Sequence, residues 1–458
     1  MKKIRLFCLI LALLLAIPFP AAATSVAQGA DTLDAMVPLK SLPLEGTTAQ
    51  AAILYELGSD TMVYGWQPDV QVDPSGMNKI MTALLAIELG NPDSVVTVTR
   101  TALNSVAIGA MSAGLKAEEQ ISLRDLLYCM MVGSANDAAA VIAEHISGNQ
   151  ENFVALMNQR AAELGCTGTV FLNANGLSCQ GQYTTARDLA KITLAALEQE
   201  FFVELFTAVT YTVPPTNKVQ ERKLETTNYM MSKESVRTEF DSRVTGGKTG
   251  ALSTTDRSLI CTAEKNGCRY LSVVMSAKGT VEGNAVTGFG NFADTRTLLD
   301  YAFATYSVRQ LLYAGQVMEQ FTVTGGENDV VVCPSVNLYS ALPTTMEEGA
   351  VTFRCIPQDI QAPIAKDQVV GTVEVWYNDI CVGKCDMLAM FAVKEAGTGA
   401  VTLMPTATET AKRTWIAVLL IGGIAVLFVV LVLAVVLVIR RRIILKKIAR
   451  RRKLIQEG

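Results

Sequence analysis

From Trp415 to Ile439 the chain runs 25 residues without a charge. At a helical rise of about 1.5 Å per residue such a run exceeds the roughly 30 Å of a bilayer core. Nine bases follow it, from Arg440 to Lys453. A cationic flank stays on the cytoplasmic side. The pattern therefore predicts a membrane span over 414–439, a basic cytoplasmic tail over 440–458, and everything before it outside the cell. The N-terminus agrees with that topology. Lys2, Lys3 and Arg5 precede an apolar stretch from Leu6 to Ile17 and then Ala21-Ala22-Ala23, the order of a secretory leader spanning 1–23. These two segments account for the excess in a hydrophobic content of 50%, above the usual range.

The net charge of −4 conceals an asymmetry. Leader, tail and the bases Lys412 and Arg413 carry +13 between them, which leaves −17 on residues 24–411. An acidic exported portion argues against nucleic acid or other polyanions as partners. Contact with anionic lipid is sufficient reason for the basic tail.

His145 is the only histidine. A zinc peptidase normally needs more than one histidine ligand. A Ser-His-Asp hydrolase would depend on His145 alone, at the end of a predicted helix. Cys381 and Cys385 have no histidine near them, so no metal and no cofactor is expected. Nine cysteines remain once Cys8 of the leader is set aside. Export permits disulfides, but an odd number leaves at least one thiol without an intramolecular partner.

Between leader and span the chain reads as two folded parts. Residues 24–47 are polar and irregular, a linker. Residues 51–56 and 61–66 flank Leu57-Gly58-Ser59-Asp60 as a hairpin. Helical spacing follows at 75–90, 123–146, 150–164 and 185–199. Strands return at 258–263 and 270–276 around the turn Glu264-Lys265-Asn266-Gly267, and a helix at 294–306 closes this part. Strands, helices, then strands predict one α+β domain over 48–306, an antiparallel sheet backed by helices. Residues 307–395 read as a small all-β domain with strands near 319–324, 329–333, 350–355, 369–376 and 387–393. A Gly-, Ala- and Thr-containing linker over 396–413 leads to the span.

The chemistry-bearing segments lie in the first domain. They are Pro74-Ser75-Gly76-Met77-Asn78-Lys79, Ser134-Ala135-Asn136 and Lys248-Thr249-Gly250. In order and spacing they resemble the S-x-x-K, S-x-N and K-T-G motifs of penicillin-binding serine enzymes. Further stretches extend the likeness: Leu123-Arg124-Asp125-Leu126-Leu127, Phe171-Leu172-Asn173 with Gly176-Leu177, Tyr183 to Ala190, Phe292-Ala293-Asp294-Thr295, and Gln361-Ala362-Pro363-Ile364 with Val370-Gly371 in the β-domain. The ectodomain is similar to serine-type D-alanyl-D-alanine carboxypeptidases, the low-molecular-mass penicillin-binding proteins. The resemblance implies a penicillin-binding/beta-lactamase-like fold. It also implies peptidoglycan stem peptides and beta-lactams as ligands, and a serine that is acylated by the D-Ala-D-Ala carbonyl and then freed by water. Carried over by position, Lys79 would take the nucleophile's proton. Ser134 and Asn136 would relay protons and hold the substrate amide. Lys248 and Thr249, with Gly250, would bind the terminal carboxylate. The N–H groups of position 76 and Ala251 would form the oxyanion hole.

One position departs from the pattern. The nucleophile stands three residues before the lysine, and that residue is Gly76. Ser75 comes one residue early. On a helix Lys79 neighbours both positions, so Ser75 is either a displaced nucleophile or the N-cap of the helix that follows. Three readings stay open: a member that binds stem peptides without cleaving them, an active carboxypeptidase using Ser75, and an envelope module with a vestigial pocket.

Overall fold

The structure is a computed structural model that describes residue 33 and residues 38–233, 238–283, 285–347 and 349–396. The leader and the segment 414–439 lie outside the described residues. Within the described residues no helix is long and apolar enough to cross a membrane.

The first part is built on a five-stranded antiparallel sheet. Its strands are β1 (Ala51–Glu56), β2 (Thr61–Trp66), β3 (Val244–Ala251), β4 (Asp256–Lys265) and β5 (Cys268–Lys278). Their spatial order is β2-β1-β5-β4-β3. Both faces of the sheet are covered. Along β1 the side chains alternate, with Ile53 and Tyr55 in one core and Ala52 and Leu54 in the other. A two-sided burial of this kind needs a continuous apolar run rather than an alternating one, and Ala51–Glu56 is buried at every position.

Helices α1 (Asn78–Leu89), α2 (Leu123–Met131), α3 (Asn136–Ser147), α4 (Gln150–Glu163), α5 (Ala186–Leu197) and α6 (Glu200–Thr207) contribute to the first core, and α7 (Gly290–Thr305) to the second. Helix α1 is central. Lys79, Ile80, Met81, Ala83, Leu84 and Leu85 are all buried, so it is enclosed on every side. The α2, α4 and α5 N-termini are capped by Ser122, Asn149 and Thr185, whose side-chain oxygens accept from the backbone N–H three residues on. Gly148 ends α3 in the left-handed conformation.

The helix expected over 123–146 is two helices. The chain breaks between Met131 and Asn136, where Ser134 takes a φ of +56° and Ala135 N–H turns back to the Cys129 carbonyl at 3.1 Å. The expected capping by Ser75 is also corrected. A short 3₁₀ turn, Ser75–Met77, precedes α1, and no side-chain cap bond is made there.

The β-domain holds a five-stranded antiparallel sheet in the order Glu319–Phe321, Val330–Pro334, Ile380–Ala389, Val369–Tyr377 and Val351–Pro357. The strand expected at 387–393 lies earlier, at Ile380–Ala389. Strands Tyr306–Leu312 and Leu338–Pro343 form a separate antiparallel pair, which the sequence reading did not anticipate. The second leads back to the first domain. Ser340 Oγ lies 3.0 Å from Thr61 Oγ1, and Thr344 N–H bonds the Thr305 carbonyl at 2.7 Å. Ala341 belongs to the same buried cluster as Leu54, Val63 and Leu299.

Candidate active site

The three motif segments meet at one edge of the sheet. The 3₁₀ turn and α1 bring Gly76 and Lys79, the α2–α3 break brings Ser134 and Asn136, and the edge strand β3 brings Lys248, Thr249 and Gly250. Contact between β3 and the turn is close. A Cβ placed on Gly250 would overlap the Ser75 hydroxyl and sit 3.1 Å from the Gly76 nitrogen, so the third residue of Lys-Thr-Gly has to be glycine.

Two buried amines dominate the electrostatics. Lys79 is 2% exposed and Lys248 is 1% exposed. Neither has an ion-pair partner among the described residues. Lys79 Nζ donates to Asn136 Oδ1 at 2.8 Å and to the Asn175 carbonyl. Lys248 Nζ donates to Ser134 Oγ at 2.9 Å and to the Thr249 carbonyl at 2.8 Å. Burial pushes the Lys248 pKa down from its usual range to about 7. Burial, and then the neighbouring Lys248, hold Lys79 well below the usual lysine range, with Asp137 opposing them.

The second motif is pinned by its own neighbours. Asn136 N–H and Nδ2 both donate to the Met111 carbonyl, at 2.8 and 3.0 Å. That fixes the amide so that Oδ1 faces Lys79. Asp137 accepts from Ser112 Oγ at 2.6 Å and from the N–H groups of Ala113 and Leu115 at 2.9 and 3.1 Å. The loop before Lys116 is thereby tied to the start of α3. Ser134 holds a left-handed φ, the sparsely populated backbone that functional turns retain when their surroundings over-determine it.

Gly76 is half-buried. A Cβ placed on it would lie 3.9 Å from Ser134 Oγ, 3.1 Å from the Thr249 carbonyl oxygen and 3.3 Å from the Gly250 Cα. A side chain here would thus leave the turn against β3, with Ser134 Oγ the next nearest atom. Ser75 points elsewhere. It is 1% exposed, has a φ of +47°, and its hydroxyl meets no hydrogen-bond partner. The structure brings it against Gly250, not to Lys79. Ala251 ends β3 beside Gly250.

Two participants were not foreseen. The Asn175 carbonyl holds Lys79, and Thr227 Oγ1 lies 2.5 Å from Thr249 Oγ1. Asn175 contributes through its backbone, which has no side-chain signature. Thr227 reaches the site only because its segment runs beside β3. His145 is exposed and sits nine residues into α3 from Asn136, about 14 Å along the axis. Among the described residues no group of His, Cys, Asp and Glu could hold a metal, and none of the nine cysteines there is in a disulfide.

Comparison with known proteins gives a consistent picture. Residues 40–279 match the D-alanyl-D-alanine carboxypeptidase family, and residues 306–395 match the penicillin-binding protein 5 C-terminal domain. The chain is 28% identical over 353 residues to D-alanyl-D-alanine carboxypeptidase DacF of Bacillus subtilis, covering 76% of this chain and 87% of that one. It is 28% identical over 371 residues to DacC of Escherichia coli, covering 76% and 85%. The crystal structure of penicillin-binding protein 5 from Haemophilus influenzae superposes with a TM-score of 0.62 at 27% identity, over 78% of this chain and 100% of that one.

Proposed function

The chain belongs to the D-alanyl-D-alanine carboxypeptidase family, and we propose that it binds the D-Ala-D-Ala end of peptidoglycan stem peptides without hydrolysing it. The observation that carries this reading is Gly76. It stands three residues before Lys79, its side-chain direction lies against β3 with Ser134 Oγ at 3.9 Å, and it brings no hydroxyl. The rest of the binding apparatus is retained. Lys248 and Thr249 receive the terminal carboxylate. The Gly76 and Ala251 N–H groups receive the carbonyl oxygen, which a glycine does as well as a serine. Beta-lactams enter the same cleft.

The chain acts from the outer face of the membrane. The leader over 1–23 exports it, the helix over 414–439 holds it, and the tail over 440–458 stays in the cytoplasm. The charge pattern on either side of the span supports this topology.

The test is D-alanine release from a diacetyl-lysyl-D-Ala-D-Ala peptide by the purified full-length chain, with peptide binding followed by competition against a fluorescent penicillin. Binding without release is the expected result. Release by the unaltered chain would overturn the reading and return Ser75 as the nucleophile. Absence of binding would leave only the vestigial module.

A further inference from the structure

We propose that Lys79 is an acylatable nucleophile in this chain, and that beta-lactams and comparably activated acyl compounds react with its amine to form a stable amide. This rests on the reading that the cleft admits such ligands.

The geometry begins with the amine's own bonds. An uncharged lysine amine has two N–H bonds and one lone pair. Both N–H bonds are committed to carbonyl oxygens, one on Asn136 and one on Asn175. The Asn136 oxygen cannot exchange places with its NH₂, because Nδ2 is held by the Met111 carbonyl at 3.0 Å. No described residue donates to Lys79 Nζ, so its lone pair is left without a donor. Position 76 lies one turn earlier on the same face of the chain. It is half-buried, carries no side chain, and borders Ser134, which is also half-buried. Both are partly exposed, so solvent reaches the border of the slot that a serine side chain would fill. In a chain with a serine there, that hydroxyl would stand between the amine and an incoming carbonyl. Burial and Lys248 favour the uncharged form of Lys79, the form that attacks carbonyls.

The step balances within the groups present. Lys79 Nζ forms a C–N bond to the beta-lactam carbonyl carbon, and the ring C–N bond breaks. The ring nitrogen takes a proton from the Ser134 hydroxyl. Lys248, which donates to Ser134 Oγ at 2.9 Å, returns a proton to it. The proton displaced from Lys79 passes to Lys248 or to solvent. Ring strain drives the reaction, and the amide product resists water. An unstrained D-Ala-D-Ala bond lacks that activation and its amine leaves poorly, so the stem peptide acylates Lys79 far more slowly and releases one D-alanine for each adduct formed.

The test is intact-mass analysis of the full-length chain after prolonged incubation with benzylpenicillin. Expected is one added penicillin per chain that survives neutral hydroxylamine, a reagent that cleaves serine esters. Fragmentation of the unaltered protein should place it on Lys79, with trypsin no longer cutting there. Lys79→Gln should lose at least 10-fold of the adduct. A hydroxylamine-labile adduct on Ser75 would overturn both this inference and the proposed function. Absence of any adduct from a chain that still competes for penicillin would overturn this inference alone.

Discussion

At residue 76 one side chain separates two behaviours, and the change can be reversed. The Gly76 backbone is not left-handed, so a serine fits its conformation. Its Cβ would stand 3.1 Å from the Thr249 oxygen and 3.3 Å from the Gly250 Cα, which asks β3 to yield by a few tenths of an ångström. Gly76→Ser should therefore cost about 1–3 kcal/mol in stability. It should restore D-alanine release by on the order of 10²-fold over the unaltered chain. Full family rates are not expected, since a misplacement of about 1 Å costs a similar factor. A folded Gly76→Ser chain with no gain would mean that Lys79 or the oxyanion pair is out of position as well. The second residue-scale consequence concerns Lys248. Burial holds its folded pKa at about 7, below the usual lysine value of 10.5. Between those pH values the unfolded chain binds more protons than the folded one, so stability rises with pH across that window. The slope from this group approaches about 1.4 kcal/mol per pH unit. Denaturant midpoints from pH 7 to 10 should show it, and Lys248→Met should flatten the slope by that amount. An unchanged slope in the variant would assign the pH dependence to other groups.

At the scale of elements, the cleft depends on segments that carry no catalytic side chain. The loop at Asn173–Leu177 supplies the Asn175 carbonyl to Lys79 and runs directly beneath the turn at Ser75. Gly176 sits there with a φ of +77°, and a Cβ on it would overlap the Ser75 carbonyl. Gly176→Ala should cost about 2 kcal/mol or more. Penicillin competition should weaken with it, because the loop that holds the amine must move. Stability and competition equal to the unaltered chain would show that the loop relaxes freely. The same loop marks the limit of what the residues alone disclose. The motif residues Lys79, Ser134, Asn136, Lys248, Thr249 and Gly250 were legible because each brings a side chain, or the lack of one, at a fixed spacing. The hairpin Ala51–Glu56 and Thr61–Trp66 was legible for its apolar strands around a polar turn. The break at Ser134 was hidden, because Gly133-Ser134-Ala135 interrupts an otherwise continuous helical pattern with only one weak helix former. Helix Glu200–Thr207 was missed since it follows Ala186–Leu197 almost without a linker and has no side-chain cap. Strand Tyr306–Leu312 was missed because it leaves the helix Gly290–Thr305 with no turn residue between them. Ile380–Ala389 contains Gly383, Lys384 and Asp386, which dilute a strand signal that its register with Val369–Tyr377 imposes from outside.

At the scale of the molecule, the α+β domain and the β-domain share buried surface, and that sharing is testable. The β-domain has a core of its own, with Val332, Val373, Val375 and Met387 fully enclosed. Yet Ala341, on its strand Leu338–Pro343, is fully buried in the cluster that also contains Leu54, Val63 and Leu299 of the first domain. Tyr306 adds a bond from its hydroxyl to the Val63 carbonyl at 3.3 Å, and Thr61 meets Ser340 at 3.0 Å. An apolar seam with its polar groups paired couples the unfolding of its two sides. The described part of the chain should therefore unfold in a single calorimetric transition. Ala341→Glu places an unpaired carboxylate in that seam, with a cost of several kcal/mol that the site can avoid only by opening. The separate β-domain core does not require the seam, so the variant should split the trace into two transitions, each smaller in enthalpy than the original. If the variant instead lowers one intact transition, the two domains are a single cooperative unit and the β-domain cannot stand without the first. Penicillin competition separates these outcomes further. The motif residues lie at the β3 edge of the sheet, whereas Thr61 belongs to β2 at the opposite edge. A split molecule should therefore keep its ligand below the first transition.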